Sequence, residues 1–117
     1  LCQAFFSMGQ QGGYESHGKI VRLISGGSDV DLCIGDAAGS RARCTWNMRT
    51  HDAGIFTMDS YNATILDSPS TTTSTSYRLQ WQETEGTTLY LNRSSTDTDN
   101  ANYPRGASTI TVMEILA

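Results

Sequence analysis

The sequence is poor in charge, in lysine and in long apolar runs. Charged residues make up 17% of the 117 residues, and lysine occurs once, as Lys19. No run approaches the roughly 18 consecutive apolar residues that a membrane-spanning helix needs, and no basic segment typical of a signal peptide is visible. We therefore expect no membrane insertion and see no targeting segment.

The charge balance disfavours polyanionic partners. Eight Lys and Arg residues stand against twelve Asp and Glu residues, which gives a formal net charge of −4. A chain of this sign is repelled by phosphate backbones and by anionic lipid surfaces, so nucleic acid is not an expected partner. With so few charges, much of the polar surface must come from Ser, Thr, Asn and Gln, which suits neutral hydrogen-bonding contacts.

Cysteine is also scarce. Cys2, Cys33 and Cys44 cannot all pair within one chain, and they contain no C-x-x-C spacing on which a zinc site could be built. Cys33 and Cys44 could face each other across neighbouring strands, but the odd number and low density favour three buried thiols. We expect no metal cluster and no cofactor.

Short β-type segments dominate what is present. Gly, Asp, Asn, Pro and Ser clusters separate the apolar runs, and no stretch shows sustained helical spacing. The length and the 38% hydrophobic content fit one folded domain. The sequence therefore predicts an all-β, antiparallel sandwich over residues 1–117, with strands at 1–8, 19–24, 30–34, 43–49, 61–66, 77–84, 88–92 and 109–116.

The clearest alternation lies in the sixth of these strands. It places Tyr77, Leu79 and Trp81 on one face, and Arg and Gln residues on the other, so the first face is predicted to join the core. A turn signal at 83–86 follows, and we expect strand 88–92 to complete an antiparallel hairpin with Leu89 and Leu91 in the same core.

The last segment is apolar on both faces, apart from threonines and one carboxylate. In a small sandwich one face meets the opposing sheet, so the other needs a loop or another subunit to cover it. We therefore predict a subunit interface at Ile110, Val112, Met113, Glu114 and Ile115. A carboxylate in such a strand must be paired or exposed, and Arg93 or Arg105 could pair with Glu114, within or between chains.

A long polar loop at 94–105 precedes this segment, and long loops on a rigid scaffold often carry binding. Asp97 and Asp99 are weak candidates for a calcium loop, but the expected register fails at Ala101 and Asn102. Asx turns that stiffen the loop are the competing interpretation. Aromatic and amide groups around the loop form a weak candidate ligand site, although they could equally lock it to the scaffold: Tyr90, Asn92, Arg93, Asn102, Tyr103 and Arg105.

Catalytic signatures are few. His17 lies beside a Gly-rich turn and His51 in a loop, and pairing of Cys44 with His51 has no local signature to support it. Nucleophile-elbow, Walker and dinucleotide-binding elements are missing from the sequence. We expect a protein that is not an enzyme.

Several short sequence segments, taken together, are similar to the C-terminal β domains of structural proteins (fibre or virion proteins) from marine tailed phages and cyanophages. The likeness extends from about Lys19 onward and contains no catalytic motif. These segments are IGDAAGSR at 34–41, DSP at 67–69 with its Thr-rich continuation, YLNRS at 90–94, DTD at 97–99, YPRG at 103–106 and STITVMEI at 108–115.

The resemblance implies a jelly-roll-like domain that forms homotrimers, laid out like C1q-type and viral fibre heads, with the final strand near the threefold axis. It implies a virion-surface module, at a fibre tip, head fibre or capsid decoration, with other virion proteins and host glycans as partners. The chain begins inside a strand without an initiator Met, so a fragment lacking one or two opening strands is an open alternative. An extracellular C1q-like or lectin-type carbohydrate-binding domain is the other.

Overall fold

The computed structural model describes residues 1–11, 14–49 and 56–115. These residues form strands and loops but no helix, and none of them builds a helical segment that could cross a membrane. The strands are β1 (Cys2–Gln10), β2 (Ser16–Ile24), β3 (Asp29–Leu32), β4 (Trp46–Met48), β5 (Asp59–Ile65), β6 (Thr75–Glu83), β7 (Leu89–Leu91) and β8 (Thr109–Val112).

The first sheet is built around β1. Strand β5 pairs antiparallel with β1 along Cys2–Met8. The opposite side of β1 is shared by two short strands, β8 beside its start and β7 beside its end. Each of these pairings is antiparallel, as a sandwich requires.

The second sheet is built around β2 in the same manner. Strand β6 pairs with all nine residues of β2 on one side, and β3 and β4 share the other side. Thr45 fills the gap between the two short strands, since its N–H donates to the Gly18 carbonyl at 2.8 Å and its hydroxyl donates to the Leu32 carbonyl at 3.2 Å. Strands β2 and β3 form a hairpin, and Gly26 in its turn has φ +82°.

The core lies between the two sheets. Alternate residues of β1 point inward, and Phe6, Met8 and Cys2 are almost fully buried there. The Phe6 ring meets Trp46 edge-on at 4.8 Å and stacks on Tyr61 at 5.4 Å. Burying each large apolar side chain contributes about 1.5–3 kcal/mol before entropy is counted.

A polar cluster closes one end of this core. The Arg22 guanidinium lies 2.7 Å from Asp67 Oδ1, and the Tyr77 hydroxyl donates to Asp67 Oδ2 at 2.8 Å. Burial first, and then the bond to Asp67, raises the pKa of Tyr77 to about 12. The cluster connects β2 and β6 of the second sheet to the segment that follows β5 of the first.

Strand positions are confirmed better than strand partners. Each of the eight predicted strands overlaps one observed strand. The predicted hairpin between strands 77–84 and 88–92 is wrong, because β6 pairs with β2 while β7 pairs with β1 in the other sheet. Leu89 packs against the core as expected, but Leu91 and Trp81 are exposed.

Two further expectations need correction. Thr109–Val112 are exposed throughout, so the opposing sheet does not cover either face of β8 in the single chain. Of the cysteines, Cys2 alone is buried, since Cys44 is half-buried and Cys33 is exposed, and all three are free thiols. Cys33 lies in the loop after β3, where no opposing sheet covers it.

Candidate functional site

The two long edges of the sandwich are built differently. At the edge formed by β4 and β5, the Trp46 indole reaches from the second sheet to the first and donates to the Asn62 carbonyl at 2.8 Å. Trp46, Leu32 and Ile65 are all buried at this edge. We call it the closed edge.

The other edge remains open. Here β6 of the second sheet faces β7 and β8 of the first, and a cavity of about 330 Å³ lies between them. Its lining is mostly apolar: Ala4, Phe5, Phe6, Tyr77, Arg78, Leu79, Trp81, Leu91, Ser108, Thr109 and Ile110. We call this groove and its rim the open edge.

The apolar residues on the rim have core-facing positions without core-like burial. The register pairs Ile110 with Ala4, Val112 with Cys2 and Leu91 with Met8, so these side chains share the inward face of β1. Ile110 is nevertheless 45% exposed, Val112 52% and Leu91 41%, and Trp81 across the groove is 44% exposed. Side chains on the inner face of a sandwich ordinarily interdigitate with the opposing sheet, so this rim lacks a covering layer.

Exposed apolar residues also follow β8. Met113 and Ile115 are exposed large hydrophobic residues, and the Leu1–Met113 backbone pair extends the β1–β8 ladder by one residue. All five predicted interface residues, Glu114 included, are therefore accessible to a second molecule. Met113 pairs with Leu1 and so lies on the face opposite Ile110 and Val112. Exposed apolar side chains on both faces of a terminal strand are typical of protein–protein contact.

Within the chain, the arginines predicted to pair with Glu114 have other partners. The Arg105 guanidinium pairs with Asp97, and the Arg93 guanidinium lies over the Tyr90 ring at 4.2 Å from its centroid. The intrachain pairing is therefore wrong. Glu114 is exposed, so water solvates its carboxylate and no buried partner is needed.

The predicted binding loop folds over the outward face of β1 beside the open edge. A Cβ at Gly9 would collide with the Arg93 carbonyl oxygen, and one at Gly106 would come within 2.9 Å of the Ser7 Cβ. Two glycines thus allow close approach of the loop, and Ser94 at its start is fully buried.

Asn92 holds the end of the loop against β1 through three contacts, with Ser7, Gly106 and Ser108. We call this junction the corner. The Asn92 N–H donates to the Ser7 carbonyl, its carbonyl accepts from Gly106 N–H, and its side-chain oxygen accepts from the Ser108 hydroxyl. Its φ of +63° is a left-handed conformation that Asn tolerates better than most residues. The oxygen of the Asn92 side chain therefore helps to hold the corner together.

The other weak ligand candidates are only partly brought together. Arg93 forms an isolated bridge with Arg105, next to Tyr90. Tyr103 lies apart from them and stacks on Phe56 at 5.1 Å. Phe56 had no sequence signal, because a single aromatic residue outside a strand pattern gives no periodicity to read.

The acidic loop is built from turns. Asn102 N–H donates to Asn100 Oδ1 at 2.9 Å, which is an Asx turn, as the competing interpretation predicts. Asp97 is paired with Arg105, while Asp99 is exposed. In the described parts of the chain, no three His, Cys, Asp or Glu residues are arranged to hold a metal ion.

Of the two histidines, His17 lies within the described residues. His51 lies outside them, and so does any pairing of His51 with Cys44. His17 lies on β2 and lines a second cavity, of about 320 Å³, with Cys44 and Arg43 on its rim. Sequence reasoning missed this cavity because its members come from three separate segments.

Comparison of the chain with models of protein families, with curated proteins and with solved structures gave no match.

Proposed function

We propose that this chain is a non-enzymatic structural module that associates with copies of itself along the open edge. The observation that carries the proposal is the exposure of Ile110, Val112 and Leu91, which have inward-facing positions. Association would cover these side chains with the apolar surface of a neighbouring copy. Each buried apolar Å² would contribute about 25 cal/mol.

The finer proposal is a homotrimeric, jelly-roll-like module on a phage particle, placed at a fibre tip, head fibre or capsid surface. Its support is the resemblance of the sequence to phage structural proteins, together with the two antiparallel sheets. In this arrangement β8 of each copy lies near the threefold axis, where Ile110 and Val112 of three copies meet. Closed symmetry of this kind covers the same surface on every subunit.

The loops that such an assembly leaves exposed are polar. The loop at 66–74 and the corner around Arg105 are largely exposed, and the internal hydrogen bonds of the corner give it a fixed shape. We propose that these loops contact the host surface or neighbouring capsid subunits. Fixed loops lose little conformational entropy on binding, which favours affinity.

The test is sedimentation velocity of the wild-type chain and of two double variants of β8. Ile110→Lys with Val112→Lys places two charges on the inward rim. The control, Thr109→Lys with Thr111→Lys, places the same charges on the same strand but on its outward face, in register with Phe5 and Gln3. We expect the wild type and the control to sediment as a trimer and the inward variant to sediment as a monomer.

Dissociation must depend on which face of β8 carries the lysines, and not only on the added charge. Because Ile110 and Val112 are already about half exposed in the single chain, the inward variant should keep its β-sheet circular dichroism. A wild type that sediments as a monomer at high micromolar concentration would overturn the proposal. So would equal dissociation by both double variants.

A further inference from the structure

A second cavity lies on the outward face of the second sheet, away from the open edge. Its floor is the paired backbone of β2 and β6 at Gly18 and Trp81, and its volume is about 320 Å³. Polar side chains from both strands stand around the floor, and the segment 42–44 borders it. Such a volume fits one sugar-sized molecule.

The bordering segment is held in place by backbone contacts. Gly35 N–H donates to the Cys44 carbonyl at 3.3 Å, and Thr45 N–H donates to the Gly18 carbonyl at 2.8 Å. The Arg43 Nε–H donates to the Gly35 carbonyl at 2.7 Å. Arg43 is therefore positioned before any ligand arrives, which lowers the entropic cost of binding.

The local charge is opposite to that of the whole chain. Lys19 and Arg43 line the cavity in a protein of net charge −4. Lys19 Nζ lies 2.7 Å from Asp31 Oδ1, so this pair is neutral together. Among the described residues the terminal nitrogens of Arg43 bond to no other group, which leaves about one positive charge to attract a monoanion.

A second carboxylate on this face, Asp29, is already engaged. Asp29 accepts hydrogen bonds from Arg78 and Gln80, and the Arg78 guanidinium lowers the pKa of Asp29. Asp29 thus remains charged and paired without drawing on Arg43. The guanidinium of Arg43 is left to recognise a carboxylate with two parallel N–H donors.

The remaining walls suit hydroxyl groups. Gln82 and His17 supply donors and acceptors, and Gln80, which donates once to Asp29, keeps its side-chain oxygen and a second N–H. The backbone of the floor is engaged in the β2–β6 ladder. A bare inorganic anion would leave most of these groups unused. A ring that carries both hydroxyls and one carboxylate would engage the amides and Arg43 together.

We propose that this cavity binds a carboxylate-bearing sugar, a uronic or similar acidic monosaccharide unit, with Arg43 on the carboxylate and the two glutamines on the hydroxyls. The inference goes beyond the proposed structural role and does not depend on self-association, because the cavity lies wholly within one chain.

The cysteines provide an internal probe. Cys44 lines the cavity, Cys33 is exposed outside it, and Cys2 is buried in the core. We would alkylate the native protein with iodoacetamide in the presence of glucuronate, glucose or acetate, and follow each cysteine by peptide mass spectrometry. Glucuronate at ten times its Kd should slow labelling of Cys44 about tenfold, because about one site in eleven stays empty, and Cys33 should be unchanged.

The small-molecule controls separate the two parts of the proposal. Glucose has the hydroxyls without the charge, and acetate has the charge without the hydroxyls, so neither should protect Cys44 at the same concentration. Protection by acetate equal to that by glucuronate would overturn the assignment of a sugar. Absence of protection by glucuronate at tens of millimolar would overturn the site.

A matched pair of variants tests the role of Arg43. Arg43→Gln should weaken glucuronate protection of Cys44 about tenfold, the usual effect of losing a charged hydrogen bond. Arg41→Gln removes the same charge two residues earlier, at an exposed position outside the cavity, and should change the protection less than about twofold. Equal effects of both variants would show attraction by overall charge and contradict the proposed contact.

Discussion

The closed and open edges of this sandwich contain the same residue type in the same register. Trp46 and Trp81 both pair with Gly18, one from β4 and the other from β6 on the opposite side of β2. Both face inward, yet Trp46 is 9% exposed and Trp81 is 44% exposed. Position in a strand thus decides which way a side chain points, whereas the opposing sheet decides whether it is covered.

Strand length does not distinguish the edges, because each sets one long strand against two short strands of three and four residues. At the closed edge, β5 offers a carbonyl to the Trp46 indole, which connects the two sheets. At the open edge, β6, β7 and β8 enclose a groove, and the inward face of β6 is partly uncovered near Trp81.

The largest effect is expected from truncating the two tryptophans. Trp46→Ala should lower the free energy of unfolding by about 3–5 kcal/mol, because it empties a buried site and removes a hydrogen bond and a ring contact. Trp81→Ala should lower that of the dilute monomer by only about 1 kcal/mol, since nearly half the ring is already in water. Urea unfolding followed by circular dichroism gives both values.

The dependence of stability on protein concentration gives a second comparison of the two tryptophan variants. If copies cover the open edge, the wild-type urea midpoint should rise with protein concentration, and Trp81→Ala should reduce that rise. Equal losses of stability in the two variants at the lowest concentration would show that the edges do not differ as described.

The next effect concerns the corner where the loop crosses β1 beside the open edge. Gly9→Ala should destabilise the fold by about 3 kcal/mol, because the new methyl group meets the backbone of Arg93 and Ser94. Gly35→Ala is the matched control, since a Cβ there meets nothing within 4 Å, and should change stability by less than about 0.5 kcal/mol. Chemical denaturation of both variants would contradict this account if Gly9→Ala were as stable as the control.

A smaller loss of stability is expected at high pH. It concerns Tyr77, which bonds to Asp67 near the start of β6. Because the pKa of Tyr77 is raised to about 12, the folded chain keeps this proton at pH values where the unfolded chain, with an ordinary pKa near 10, has lost it. The stabilisation is fully present below pH 10 and is lost as the pH rises through 12. The loss is on the order of 2 kcal/mol.

Stability measured by urea unfolding between pH 9 and 12 checks this result, with two variants as references. Tyr77→Phe cannot ionise and should show a shallower decline than the wild type. Tyr14→Phe removes an exposed phenol and should keep the wild-type decline. A decline in Tyr77→Phe as steep as that of the wild type would show that other groups cause it.

The sequence predicted the strands because local alternation and turn residues determine them. It did not predict which sheet β6 and β7 join, since a turn at 83–86 fits a hairpin as well as a crossing between sheets. The apolar character of both faces of β8 was visible, and so was its need for a cover. Its exposure in the single chain was not, because coverage depends on how strands far apart in the sequence pack against each other.

The candidate sites were predictable to different degrees. The interface residues form one continuous run, so their pattern could be read directly. The cavity around Arg43 combines β2, β6 and the segment before β4, and no local spacing connects these three. The Asp97–Asn102 loop was partly predictable. Its Asx turn depends on neighbouring residues only, whereas the pairing of Asp97 with Arg105 depends on how the loop folds back.

Native mass spectrometry of the wild-type chain at about ten micromolar tests the central claim most directly, because such a concentration is enough for specific subunit contacts of moderate affinity. The proposed trimer would give a dominant species of three times the 12.7 kDa chain mass, which Ile110→Lys with Val112→Lys should reduce to a single chain. A wild-type spectrum that contains only the 12.7 kDa species would contradict the claim that copies of the chain cover this edge.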